Sequence, residues 1–460
     1  MSLLIVGLDI NIVNVALPSI GRQLHAPLSG LQWTIDGYTL VLASLLMLSG
    51  STADRLGRRR TFVVGLLIFT FGSLLCSISP DLTALVIFRM VQGVGGSMMN
   101  PVALSIVNAT FTDAKERARA IGVWAAVFGV SMALGPVVGG LLVSSVGWRS
   151  IFWINVPIGL LTVILTLRFV PESKAAIARK FDGPGQFLVI TLLAALTYGI
   201  IEVPRRGISS PIITGAFAVA AVSFTLALMR ELRTRWPLIN PRFFRSAPFV
   251  VATVISISAL ATLGGFLFVN TIYLQDVRKL SPMHSGLDIL PVAVAIMIAG
   301  PISGIVMSRR GARIPLSIAG IGIGVGCLML TRLTSTTSFT WLFVAYAIFG
   351  FGMGSQSTPL TNLALSGMPR SQAGVAAGIV TTARQVGTTL GVAVVGALIS
   401  TRLSSHVGFA VASRIGWWVM AGCGAATLVL GLAATSEWAR ATATRTASSL
   451  NAEYLEEITR

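Results

Sequence analysis

The chain has 460 residues, 54% of them hydrophobic and 11% charged, less than half the charged share of about 25% usual in soluble domains. That composition excludes a soluble enzyme or binding domain and points to an integral membrane protein with many spans. The formal charge of +18 does not imply nucleic acid as a partner, because the basic residues fall in short gaps between apolar runs, where they set topology.

Apolar runs long enough to cross a bilayer are expected at 2–21, 31–52, 61–79, 82–108, 118–143, 148–170, 185–203, 210–230, 248–274, 285–308, 315–333, 339–366, 373–400 and 415–435. The fold class is therefore all-α, with fourteen transmembrane helices. The first run has no basic segment ahead of it and contains Asp9, Asn11 and Asn14, so it reads as a retained span rather than a signal peptide. With the basic loop after the second run placed inside, 23 of the 34 Lys and Arg fall on the cytosolic side, 9 outside, and Arg89 and Arg384 within the membrane. Both termini are then cytosolic. Breakers make 171–183 and 231–247 loops, and the tail from 436 is polar and ends in a frayed helix.

An internal repeat organises these runs. Gly50-x-x-x-Asp54-Arg55-Leu56-Gly57 is echoed by Gly304-x-x-x-Ser308-Arg309-Arg310-Gly311, and Leu134-Gly135 with Gly140 and Ser144 by Leu390-Gly391 with Gly396 and Ser400. Both pairs are shifted by about the same length, so runs 1 to 6 and 9 to 14 are copies and runs 7 and 8 are an insert. The expected organisation is a six-helix bundle over 1–170, loops and a two-helix insert over 171–247, a second six-helix bundle over 248–435 and a cytosolic tail over 436–460. Parallel repeats of this kind form two bundles around a midplane cavity.

Asp9 lies deep in the first run, where a carboxylate costs several kcal/mol unless it is paired, protonated or facing water. Either neighbouring polar groups satisfy it or it carries protons. Arg89, mid-span in run 4 with Gln92, Gly93 and Gly96 on its face, is the expected counter-charge, and is either a structural pin or part of a proton relay. Asn11 and Asn14 point away from Asp9, so that one face of the first helix lines the cavity and the other seals a helix contact. Asp36, Glu202 and Asp288 lie near the outer ends of their helices and are expected to be solvated, with Asp288 the best second acidic candidate for proton coupling. Asn14, Asp36, Gln92, Arg384 and Gln385 are the candidate cavity residues.

The segment Gly50 to Arg60 is expected to be a short polar loop turned by Gly50 and Gly57 and rich in arginine at Arg55, Arg58, Arg59 and Arg60. It is either a topology anchor or a gate, with Asp54 bonding to the arginines beside it. Gly129 to Gly140 holds a small-xxx-small pair at Gly135 and Gly139, with Pro136 bending the helix between them, which by itself indicates close helix packing.

Cys76, Cys327 and Cys423 sit apart in apolar runs without metal or redox spacing, and His25, His284 and His406 are expected in outer loops. No catalytic residues, metal ligands or Gly-Lys-Ser/Thr phosphate loop can be picked out, so the chain is expected to be neither an enzyme nor an ATPase.

Gly50-x-x-x-Asp54-Arg55-x-Gly57-Arg58-Arg59 resembles the loop between helices 2 and 3 of the major facilitator superfamily. Gly129 and Gly135-Pro136-x-x-Gly139-Gly140 resemble that superfamily's antiporter motif, and Arg89-x-x-Gln92-Gly93-x-Gly95-Gly96 resembles helix 4 of its drug:proton antiporters. Leu8-Asp9-x-x-x-Val13-Asn14-Val15-Ala16-Leu17-Pro18 and Ala383-Arg384-Gln385-Val386-Gly387 resemble helices 1 and 13 of the 14-span family, although threonine is usual where Asn11 stands. The segments around Trp33 and Glu202 are most similar to the antibiotic-resistance branch of methylenomycin type.

The resemblance implies a bacterial cytoplasmic-membrane exporter that is driven by the proton gradient and needs no cofactor. Its partners would be protons, a small amphipathic or cationic substrate and lipid, and it would act as a monomer by alternating access. A metabolite importer of the same fold, or a receptor without transport, are the other readings.

Overall fold

The computed structural model of the chain describes residues 1–111, 113–174, 182–234, 241–369, 372–405 and 407–459. Among them every long element is helical. The first half comprises α1 (Ser2–Gln23), α2 (Leu28–Leu56), α3 (Arg58–Ser77), α4 (Leu82–Thr110), α5 (Ala114–Ser145), α6 (Ser150–Trp153) and α7 (Asn155–Phe169). Next come α8 (Gly183–Arg206) and α9 (Pro211–Arg233). The second half comprises α10 (Ala247–Ile272), α11 (Pro282–Asp288), α12 (Leu290–Arg310), α13 (Arg313–Leu330), α14 (Phe339–Ser355), α15 (Ser357–Leu365), α16 (Ala373–Leu403), α17 (Phe409–Ala412) and α18 (Arg414–Ala434), and the tail is α19 (Glu437–Thr459).

Twelve of these segments are long and apolar enough to cross a membrane. The remaining two expected spans differ from that standard for visible reasons. In α5 the apolar stretch among the described residues is Gly129–Ser145, and the span expected at 339–366 is divided at Gln356. Prolines explain the divisions. Helices are interrupted at Ile154, Ile289 and Gln356, each two or three residues ahead of Pro157, Pro291 or Pro359, where the ring removes a donor and crowds the carbonyl four residues back.

Several sequence expectations need correction. Gly50 is not in a loop: α2 continues through it to Leu56, and α3 begins at Arg58, so the junction is Gly57 alone, at φ +118°. A backbone in that region favours glycine. The matching Gly311, at φ +76°, follows α12 in the same way. The loop expected at 231–247 is shorter, since α9 extends to Arg233 and Pro241–Arg245 forms a 3-10 turn. His284 is not in a loop but in α11, and His406 lies outside the described residues.

The chain divides into two compact units, Met1–Leu226 with Leu267–Leu290 and Val392–Ala410, and Ala227–Phe266 with Pro291–Gly391 and Val411–Arg460. In the first, α3 and α4 approach through Gly65, Gly72 and Gly95, where an added Cβ would strike backbone, and α5 meets α1 through Gly135 and Gly139. Without a hydrophobic driving force in lipid, such close backbone contact is what holds helices together. Its core runs through Tyr38, Leu42, Leu46, Phe62, Phe69 and Met99. Helix α8 is fixed to α2 by Gln186 Nε2 donating to the Ser44 carbonyl and by Trp33 Nε1 donating to Glu202 Oε1 at 3.4 Å. The α9 side chains Ile212, Val219, Val222, Phe224 and Leu226 remain exposed, as suits a surface bathed in acyl chains. In the second unit, Gly320 and Gly424 bring α13 and α18 together, and Gly387 and Gly391 seat α16 on Ile257 and Ala261 of α10.

Candidate functional site

The apolar register of α1 carries Asp9 into the interior of the first unit, where it is 0% exposed. Arg89 of α4 meets it with Nη1 to Oδ2 at 2.6 Å and is itself 1% exposed. The same Nη1 donates to Gln92 Oε1 at 2.7 Å, and Gln92 Nε2 returns to Asp9 Oδ1 at 2.9 Å. This is the use of the Arg-x-x-Gln spacing: one turn apart on one helix face, the two side chains reach both carboxylate oxygens.

Asn155, the first residue of α7, donates to Asp9 Oδ1 at 3.0 Å and to Ser73 Oγ at 3.1 Å, and Ser73 Oγ donates to the Phe152 carbonyl at 2.9 Å. Arg89 Nε donates to the Thr34 carbonyl at 3.1 Å, and its guanidinium lies 4.3 Å from the Tyr38 ring centroid. Both Asp9 oxygens therefore act as acceptors, as in an ionised carboxylate. Breaking such a pair by removing one partner costs about 3 to 5 kcal/mol, because the other charge is left buried and alone. Asp9 is thus bonded by neighbours, with two donors on Oδ1 and one on Oδ2.

Asn155, Ser73 and Tyr38 were not anticipated. An asparagine two residues ahead of a proline inside an apolar run was the available signal, since the interrupted helix turns that side chain inward. Asn11 and Asn14 donate to their own helix at the Gly7 and Ile10 carbonyls, and Asn14 Oδ1 is buried without a partner.

The solvated ends expected for three carboxylates are corrected in two cases. Asp36 is 0% exposed, with only Thr39 Oγ1 at 3.5 Å from Oδ1 and no partner for Oδ2. Glu202 is buried too, bonding Trp33 and Arg206. Asp288 closes α11 half-buried, with Oδ2 enclosed and unpartnered. In the second unit Arg384 Nε is enclosed without a partner, and Gln385 beside it is half-buried.

At the Gly57 junction Asp54 Oδ1 accepts from Arg58 Nη2 at 3.0 Å and Nε at 3.2 Å. Arg55 is exposed. Glu172, unforeseen because it follows α7 in the chain, caps α3 by accepting from the backbone of Arg59 at 3.0 Å and Arg60 at 3.2 Å. A carboxylate there meets the positive end of the helix dipole. Arg59 Nη1 also donates to the Val170 carbonyl at 3.3 Å.

Of the glycine motif in α5, Gly129 faces open space, Gly135 and Gly139 face Asn11 and Ile12 of α1, and Gly140 faces Pro282 and Met283, the first residues of α11. The Pro136 carbonyl stands against Gly286. The motif packs α5 between α1 and α11, and Gly135 touches its own half of the chain rather than the other.

The sequence profile described as Major Facilitator Superfamily matches residues 1–392. The chain belongs to the major facilitator superfamily. Among curated members of the superfamily it is 37% identical over 405 residues to multidrug resistance protein Stp of Mycobacterium tuberculosis, which covers 88% of this chain and 75% of Stp. It is 36% identical, with the same coverage, to the tetracenomycin C resistance and export protein of Streptomyces glaucescens. The methylenomycin A resistance protein of Streptomyces coelicolor is 32% identical over 400 residues, 85% of this chain and 82% of that one. Among solved structures, a POT family transporter in complex with 5-aminolevulinic acid shares the fold at TM-score 0.65 and 14% identity, covering 94% of both chains. A bacterial homolog of the human lysosomal transporter Spinster does so at TM-score 0.62 and 16% identity, over 97% of this chain and 95% of that one. These three curated relatives are named for multidrug resistance, tetracenomycin C resistance and export, and methylenomycin A resistance, and this chain is a membrane transporter of the same superfamily.

Proposed function

We propose that this transporter is a proton-coupled antiporter that exports small amphipathic or cationic compounds, antibiotics among them, across a bacterial cytoplasmic membrane by alternating access. The observation that carries the reading is the sealed Asp9–Arg89 pair with its Gln92 and Asn155 donors. A buried carboxylate whose partners are all donors can exchange a proton for those bonds when the helices around it open, which couples protonation to conformation. Asp288, in the second half of the chain, is the proposed second acidic site.

The proposed organisation is fourteen spans with both termini cytosolic, two six-helix repeats over 1–170 and 248–435, the insert between them and a cytosolic tail. The chain acts as a monomer, and the proton gradient replaces any cofactor. Asp54 with Arg55, Arg58 and Arg59 belongs to the cytosolic gate, and the Gly135-Pro136 segment to the helix contacts that move.

The test is efflux of a fluorescent substrate in a pump-deficient host, with and without a proton uncoupler. Wild type should lose export on uncoupling, and Asp9→Asn should insert normally yet export nothing. Export by Asp9→Asn at the wild-type rate and still sensitive to the uncoupler would remove Asp9 from the coupling step.

A further inference from the structure

Arg384 is the second arginine that the helices carry into the membrane, and its surroundings differ from those of Arg89. It stands eleven residues into α16, about 16 Å along the axis at 1.5 Å per residue, farther from the helix start than an arginine side chain can reach. From position 289 to position 436 the chain contains no Asp or Glu at all, and among the described residues no ion pair reaches the guanidinium. No hydrogen bond satisfies it either: Nε is enclosed without a partner, whereas the terminal nitrogens of this half-buried residue are not enclosed. Among the described residues they too have no protein acceptor.

The local packing holds that fork in place. Gly387 and Gly391 press against the backbone at Ile257 and Ala261, so α10 and α16 run side by side in the same direction. Arg384, one turn before Gly387, stands on the flank of this contact, level with the turn of α10 that carries Thr253 and Ser256. The Ser256 hydroxyl is buried and also lacks a partner. An unpaired cation at this depth costs several kcal/mol, and natural sequences keep one only where something answers it.

We propose that Arg384 is an anion-binding site that takes the carboxylate, or a comparable acidic group, of the transported compound. The inference rests on the export reading for the word transported, and it narrows the substrate class from amphipathic compounds in general to those with an acidic head. A planar fork of donors matches a carboxylate in two parallel bonds, which a compact ammonium would not. The apolar remainder of the compound then needs only a broad, replaceable lining.

The experiment is equilibrium binding to the purified full chain in chloride-free nanodiscs, without any proton gradient. The probes are naphthoate and its neutral amide, followed by quenching of tryptophan fluorescence. Wild type should bind the acid at least about tenfold more tightly than the amide, the span expected for a charge-assisted hydrogen bond. Arg384→Gln should remove that preference while leaving amide binding within about twofold, and Arg384→Lys should retain part of it. Equal affinity for acid and amide in wild type, or an undiminished preference in Arg384→Gln, overturns the proposal. So does displacement of naphthoate by chloride at matching concentration, which would mark a site for an inorganic counter-ion only. Should Arg384→Gln fail to fold, the wild-type comparison and Arg384→Lys still decide. Because no gradient is applied, an acid preference with no proton-driven export would sink the coupling reading alone, whereas export without any acid preference would sink this one alone.

Discussion

Arg89 and Arg384 are both arginines inside long apolar helices, each followed closely by glutamine and glycine, yet the fold treats them oppositely. Arg89 has a carboxylate, an amide, a carbonyl and an aromatic face around it. Arg384 has no carboxylate in its stretch of chain and an enclosed Nε with no acceptor. A buried charge whose own protein supplies every partner is part of the structure, and its function must come from breaking those bonds. A charge left without partners is a debt to something outside the chain.

Truncating each arginine is the strongest way to break this comparison. Arg89→Ala leaves Asp9 buried with two amide donors and no cation, and is expected to cost about 3 to 5 kcal/mol. Arg384→Ala removes a cation that nothing in its unit answers, and should leave stability unchanged or slightly raised. Recovery of monodisperse protein after heating in detergent would show the contrast. Equal losses in the two variants would mean that Arg384 has partners after all.

A smaller effect is expected where the Asp9 network meets α7. Asn155→Ala deletes the bonds to Asp9 Oδ1 and Ser73 Oγ and should cost about 1 to 3 kcal/mol, the range for a buried group left short of a partner. Since Asn155 bonds the carboxylate proposed to carry the proton, Asn155→Ala should also make export depend differently on pH. A purely structural side chain would lower the amount of folded protein while leaving the pH profile of what remains unaltered.

The sequence made the spans legible because lipid imposes a length and a hydrophobicity on each of them, and the prolines at 157, 291 and 359 mark where they divide. The pairing of Asp9 with Arg89 was legible for a related reason, since two rare charges in one apolar bundle have few other destinations. What stayed hidden depended on distance across the fold. Glu172 lies far along the chain from Arg59, and nothing local shows that it caps α3. Asp36 was misjudged because position along a helix gives depth but not the neighbours that seal it. The polar segment at Gly50 to Arg60 was read as a loop from composition, although a single glycine at positive φ suffices to turn the chain.

The Gly57 and Gly311 junctions offer a finer version of the comparison. The backbone turns alike at both, but Glu172 caps the helix at the first, while at the second Ser308 only donates to the Ile305 carbonyl of its own helix. Glu172→Gln keeps a side-chain oxygen and loses the negative charge, so it should weaken the start of α3 by about 0.3 to 1 kcal/mol. Amide hydrogen exchange over α3 would report it as faster exchange at Arg59 to Phe62. Unchanged protection there would mean that helix packing alone holds this end.

Asp54 should produce the smallest measurable effect. Its bond to Arg58 is an i,i+4 pair with side-chain exposures of 34% and 17%, so screening by solvent limits it to about 0.5 kcal/mol. Lost from one conformation only, that energy shifts a two-state population about twofold. Ser308→Ala removes a hydroxyl that is exposed and bonded only within its own turn, and should shift nothing. Labelling of single cysteines placed at the two membrane faces would compare the variants, with Asp54→Asn changing the ratio of labelling and Ser308→Ala matching wild type. An identical ratio in all three would make the acidic residue of the first junction a topology anchor only. A shift well above twofold would show that Asp54 gains a second partner in the conformation opposite to this one.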